Sequence, residues 1–229
     1  MKKILITLIA CLPMTGMAQN VWEIPEENKP QQEKVKKEKK VKVKEPKASK
    51  QPKAIRSEDM KYMAGAVPEV DGNVVFTYDK DFPGLTAEQI YKITYATLDS
   101  ITKSENQTGE MSKIALVNKG EHIIAARFCE WLVFQSTALS LDRTVFNYTI
   151  IAQATDGHLH ATLERINYQY EMDRSDSKGL RISAENWITD KYSLNKSQTR
   201  LARQSGKFRR KTIDRKDNIF DTLTKALKK

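Results

Sequence analysis

Residues 140–171, SLDRTVFNYTIIAQATDGHLHATLERINYQYE, constrain the fold more than any other stretch. Asp156-Gly157 is a hairpin signal, because a two-residue turn between antiparallel strands favours glycine's backbone freedom. On either side lie strand-like runs, Arg143–Ala154 and His158–Tyr170, rich in β-branched and aromatic residues. Leu159, Ala161 and Leu163 alternate inward, and Ile166, Tyr168 and Tyr170 resume on the opposite parity. A bulge near Glu164-Arg165 reconciles the two runs.

The helix that covers such a hairpin is read from DFPGLTAEQIYKITYATLDSI. Pro83-Gly84 turns the chain. Thr86 is an N-cap and Gln89 completes a capping box, while Leu85 and Ile90 occupy the positions of a hydrophobic staple. Ile90, Ile93, Thr97, Leu98 and Ile101 line one face of a helix from about Ala87 to Lys103. Asn73–Tyr78 precedes it as a strand, and Lys113–Val117 and Glu121–Phe134 follow as strands. The order is an α+β plan, β-α-β-β-β-β-α, with an antiparallel sheet packed by helix. Further on, Ser183 is placed to cap a short helix over Ala184–Tyr192, with Trp187 and Ile188 on its apolar side. Thr212 or Asp214 is placed to cap a last helix reaching about Leu227, with Ile213 before the cap. Its stripe of Ile219, Phe220, Leu223 and Leu227 is narrow, so this helix packs on the body or pairs with another chain.

Charge and composition divide the chain. Lys2 and Lys3, the short apolar run Ile4–Leu12 and the small residues around Gly16-Met17-Ala18 read as a secretory signal peptide over 1–18, cleaved before Gln19. The protein is then exported, to the periplasm, the outer membrane or beyond the cell. A second reading takes Leu8-Ile9-Ala10-Cys11 as a loose lipoprotein box with Cys11 lipidated. The apolar run is too short to span a bilayer. Gln19–Ala66 carries thirteen Lys and Arg against eight Asp and Glu, Val67–Asp190 eleven against eighteen, and Lys191–Lys229 thirteen against three. The first of these stretches contains QQEKVKKEKKVKVKEPKASKQPK, which has no aromatic residue and only single valines. It cannot bury enough apolar surface to offset its ordering entropy. It reads as a disordered, extended linker over 19–65, its charged part ending near Arg56. It is a solvated spacer, or a tether resting weakly on anionic head groups. The domain then occupies 66–172, and a basic helical segment, packed on it or extending it, occupies 173–229.

Catalytic chemistry is sparse. With the leader removed, Cys129 is the one remaining cysteine, in an apolar RFCEWLVF run that suits a buried small side chain. His122 is near it in sequence but sits in a turn-like NKGEH stretch. His158 and His160 fall two apart on a strand and face the same way, a weak metal-binding pair with Glu164 as a further donor. Leu159 and Leu163 on the opposite parity put those histidines on the solvent side. No phosphate loop, nucleophile elbow or paired-cysteine knuckle occurs. The expectation is a non-enzyme without a cofactor. Arg200, Arg203, Lys207, Arg209, Arg210 and Lys211 form the densest arginine cluster, with Phe208 among them. Two readings stand: an anion-binding site, or cations that pair with the acidic body.

The stretches VPEVDGNVVFTYD, LTAEQIYKITYATL, the hairpin quoted first and GKFRRKTIDRKDNIFDTL together resemble a secreted bacterial family of unknown function described as having a TATA-binding-protein-like fold. The resemblance implies the β-α-β-β-β-β-α fold and no activity or site residue. The strands belong to the acidic part of the chain, the wrong sign for a phosphate backbone, so nucleic acid is not the expected partner. The function expected is an envelope binding module for a protein, an anionic lipid surface or an apolar ligand. An alternative is a carrier holding a small apolar ligand between the sheet and the C-terminal helix, and behind it stand a hydrolase and a nucleic-acid binder.

Overall fold

The computed structural model describes residues 57–109, 111–172 and 178–229. The leader, Cys11 and the lysine-rich run lie outside the described residues. Five strands form one antiparallel path: β3 (Phe76–Asp81), β7 (His158–Tyr170), β6 (Leu141–Thr155), β5 (Ile123–Ser136) and β4 (Lys113–Asn118), in that spatial order. β8 (Leu180–Ser183) adds to β7 beyond the end of β3. A separate two-stranded ribbon joins β1 (Glu69–Val70) to β2 (Asn73–Val74). α1 (Ala87–Thr102) and α3 (Ser205–Leu227) pack on the same sheet and on each other. A one-turn α2 (Asp190–Ser193) leads into the last connection.

The β6–β7 hairpin forms as its sequence dictates, with β7 bounded by His158 and Tyr170. Gly157 takes the positive φ, 72°. The turn also builds the start of α1: Asp156 Oδ1 accepts from Ala87 N at 2.7 Å, and Gly157 N donates to Leu85 O at 2.9 Å. The capping box is present, with Thr86 N donating to Gln89 Oε1 at 2.8 Å and Gln89 N to Thr86 Oγ1 at 3.3 Å. The bulge falls where two parities meet: Thr149 pairs with Glu164 and Asn147 with Asn167, so Tyr148 faces both Arg165 and Ile166. Arg165 absorbs the irregularity at φ 55°, and Ile166 and Tyr168 return to the buried face.

That face is the core. Phe128, Phe146, Tyr148, Ile150, Leu159, Leu163 and Tyr168 are almost fully buried beneath Ile90, Leu98, Phe208, Ile219 and Leu223. Their rings form a chain across the strands, with Phe128 and Tyr148 stacked at 4.9 Å, Phe146 and Tyr168 at 5.6 Å, and Phe208 edge-on to Tyr168 at 5.2 Å. These side chains pack the sheet directly against α1 and α3.

Five expectations shift. Asn73–Tyr78 is not one strand, because the turn at Asp71-Gly72, both at positive φ, folds Asn73–Val74 back on β1 before Phe76 enters the main sheet. α1 buries Tyr91 and Thr94 beside Ile90 and Leu98, while Ile93, Thr97 and Ile101 are half-buried. Ala184–Tyr192 is not one helix: Ala184–Asn186 is a 3-10 turn and α2 is separate. The reason is tertiary, since the Ile188 carbonyl is taken by Arg209 Nη1 at 2.8 Å and is withdrawn from a helical ladder. The last helix starts at Ser205, not near Thr212, whose hydroxyl instead pairs with the buried Tyr168 hydroxyl at 2.7 Å. Finally, the linker boundary at 65 falls inside the body, because Ser57–Tyr62 is a 3-10 helix with Asp59 and Tyr62 buried.

Candidate functional site

The basic cluster is spread along the first turns of α3 and the loop before it. That loop is fixed by Asn195, whose side-chain oxygen accepts from Thr199 N at 2.9 Å and Arg200 N at 3.0 Å. Gln198 turns it at φ 54°, and Leu194 bridges to Leu201. Gly206 lets α3 start against the loop: a Cβ there would lie 2.8 Å from Leu201 Cβ. These devices bring Arg200, Arg203, Lys207, Arg210 and Lys211 around an open groove of about 370 Å³, with Phe134 and Leu201 as its apolar lining. Arg209 points the other way.

The six cations divide evenly. Arg209 is fully buried and each nitrogen of its guanidinium donates, to the carbonyls of Tyr62 (2.6 Å), Met63 (2.6 Å) and Ile188 (2.8 Å) and to Asp190 (2.7 Å). Burial pulls its pKa down from the ordinary value, and Asp190 opposes that pull. Lys207 donates to Asp142 at 2.7 Å and Tyr170 at 3.1 Å, its ammonium 4.5 Å from the centres of the Phe134 and Tyr170 rings. Burial pulls the Lys207 ammonium down, yet the hydrogen bonds to Asp142 and Tyr170 hold it above its ordinary value. Arg210 is paired with Asp59, the one carboxylate on the groove wall. Arg200, Arg203 and Lys211 have no side-chain ion pair or hydrogen bond among the described residues, and Arg200 and Arg203 are exposed. Three of the six cations are thus engaged by the body, and three have no side-chain partner among the described residues.

The other candidates are engaged structurally. His158 and His160 lie on the open side of β7, opposite Asp81 and Asp79 of β3. His158 Nδ1 is 2.7 Å from Asp81 Oδ1, and His160 Nδ1 is 2.7 Å from Asp79 Oδ1. Among the described residues no group of three or more His, Cys, Asp and Glu side chains is arranged to hold a metal. Cys129 is buried, its Sγ 2.8 Å from Thr108 Oγ1. His122 is bonded to Glu88 at 3.1 Å on α1.

One buried constellation is absent from the sequence expectations. Glu130 has zero exposure and receives Arg215 through Nε (2.7 Å) and Nη2 (2.8 Å), Tyr148 Oη (3.0 Å), Asn106 Nδ2 (2.8 Å) and Gln107 Nε2 (2.9 Å). Burial first, then the Glu130 charge, keeps the Tyr148 hydroxyl protonated far above its ordinary range. With every acceptor lone pair used and no opening to solvent, this cluster ties α3 and the 104–112 loop to β5. Its signal lies in parity: Ile124, Ala126, Phe128, Glu130 and Leu132 share one face of β5, so a carboxylate stands at a core position.

Residues 76–169 match the model of the domain of unknown function DUF4468 with TBP-like fold. A crystal structure of a DUF4468 family protein from Bacteroides ovatus is 40% identical, with a TM-score of 0.68, over 75% of this chain and 96% of that one. A TBP-like protein from Parabacteroides distasonis is 20% identical with a TM-score of 0.58, over 71% of this chain and 97% of that one, a likeness of fold. No curated protein matches the chain.

Proposed function

The chain belongs to the DUF4468 family, described by a fold rather than an activity, and on that premise we propose that it is an exported, non-catalytic binding module whose α3 groove takes an anionic group. One observation carries the reading: three cations, Arg200, Arg203 and Lys211, converge on a groove whose single carboxylate, Asp59, is already engaged by Arg210. Fixing like charges together without partners costs stability, and an incoming anion relieves that cost. The guanidinium groups suit a phosphate or carboxylate, which they grip through paired N–H donors. The non-catalytic part of the reading rests on the engagement of Cys129, His122, His158 and His160 elsewhere. Export rests on the basic, apolar and small-residue pattern of residues 1–18.

Titration with pyrophosphate, followed by calorimetry at several salt concentrations, tests the groove. Binding is expected to weaken steeply with salt, and R200E/R203E/K211E is expected to lose at least tenfold in affinity with an unfolding midpoint no lower than that of the wild type. Affinity retained in that variant overturns the reading. Intact mass of the native protein tests the leader: the expected form begins at Gln19, and a diacylglycerol adduct on Cys11 overturns cleavage there.

A further inference from the structure

Beside the groove, the β5–β6 hairpin runs on past the sheet. Val133 pairs with Arg143 and Gln135 with Asp142, so Phe134 is left over as a bulge and turns toward α3, 4.6 Å from Phe208. The hairpin closes through Thr137 and Ser140, whose backbones exchange hydrogen bonds, the Thr137 hydroxyl also donating to Ser140 O at 3.2 Å and accepting from Ser140 N at 3.0 Å. Ala138 and Leu139 are left at the tip. Turn positions favour Gly, Asn or Asp, yet here a leucine stands with 100% of its surface exposed. Leu141 and Val133 behind it are exposed by 55% and 38%. None of the three contributes to the core. Arg143 lies against the Trp131 ring at 3.6 Å on the same hairpin, its charge exposed.

An apolar tip therefore extends from the hairpin that gives Phe134 to the groove, where Arg200, Arg203 and Lys211 have no side-chain partner among the described residues. We infer that this end docks on an anionic lipid bilayer, the hairpin tip entering the interfacial layer while the groove cations meet head-group phosphates. The inference rests on the anion-binding reading of the groove and names its ligand. Two features select a membrane over a soluble anion. A free anion has no use for Leu139, and a few interfacial apolar side chains combined with several surface cations are the combination that binds anionic lipid. Charge complementarity favours a negatively charged leaflet over a zwitterionic one. The attachment is peripheral in kind, because no helix among the described residues is long and apolar enough to cross a membrane.

Sedimentation with phosphatidylglycerol and phosphatidylcholine vesicles, run beside the pyrophosphate titration, separates the two claims. The full chain is expected to sediment with the anionic vesicles and not with the zwitterionic ones. Leu139→Asp is expected to weaken vesicle binding at least tenfold and Leu139→Trp to preserve or tighten it, both with unaltered pyrophosphate affinity. R200E/R203E/K211E is expected to lose both ligands. Vesicle binding indifferent to Leu139→Asp, or pyrophosphate binding without any vesicle binding, overturns the membrane inference and leaves the groove reading in place. Loss of neither ligand in the triple variant overturns the groove reading itself.

Discussion

Arg209 and Arg203 are separated by fewer than two helical turns and do opposite work. Arg209 is the largest fully buried side chain of the described residues, sealed by three carbonyls and a carboxylate. Arg203 stands on the rim of a groove with no partner among them. A buried guanidinium must be saturated, since its desolvation is repaid only by charge-assisted hydrogen bonds on every side. An exposed one remains hydrated and carries no such requirement. The contrast teaches that a run of basic residues is not a unit of function. Each member is assigned by which way the helix turns it, and sequence spacing alone does not reveal which cations are spoken for.

The sharpest way to break the comparison is to remove the buried partner. Arg209→Met takes the donor from the Tyr62, Met63 and Ile188 carbonyls and leaves the partly exposed Asp190 with Gly65 N in place of its guanidinium. The expected loss is about 3–5 kcal/mol in urea denaturation, the range for breaking a buried charge pair by deleting one member. A loss below ~1 kcal/mol would show that Ser57–Met63 and Ile188–Asp190 are not held by this residue. Lys207 is the intermediate case, being partly buried and bonded to Asp142 and Tyr170. Lys207→Met keeps the stem over the Phe134 and Tyr170 rings while removing the charge, so about 1 kcal/mol is expected. A loss equal to that of Arg209→Met would mean that exposure does not set the ranking.

The same distinction decides what was legible in the sequence. The hairpin, its bulge and the capping box are local: each signal and its consequence sit within a few residues, and β7 and the start of α1 fall where the pattern places them. The start of α3 is not local. Ser205–Lys211 is basic and contains Gly206, so its helical propensity is unremarkable, and its order comes from Tyr62, Asp190 and Asp142 far along the chain. Glu130 shows both sides. Its parity among inward residues is visible, whereas Arg215, the partner that makes the position tolerable, is 85 residues away. The acidic count of the strands likewise misses Arg127, Arg143 and Arg165 on the uncovered side of the sheet, because charge summed along a chain does not describe a face. Of the six basic residues named from sequence, the groove collects five, and only the fold shows that two of these are already paired.

The smallest expected effect comes from a cation that is exposed, paired and conditional. His158 donates to Asp81 at 2.7 Å, with Asp79 Oδ1 at 3.4 Å from its other nitrogen. The hydrogen bond to Asp81 raises the His158 pKa above its ordinary 6.5, with burial opposing and Asp79 adding to the rise. A group whose folded pKa is raised adds stability that is fully present below the unfolded value, and loses it as pH rises through the folded value. Asp81→Asn removes the main cause while leaving Asp79 in place. The difference in unfolding midpoint between wild type and Asp81→Asn is therefore expected to be greatest near pH 5.5 and to shrink toward pH 8. It should also diminish in added salt, since an exposed pair is screened, unlike the Arg209 contacts. A difference that stays flat across that range, or grows with pH, would show that the Asp81 pair adds no proton-linked stability through His158.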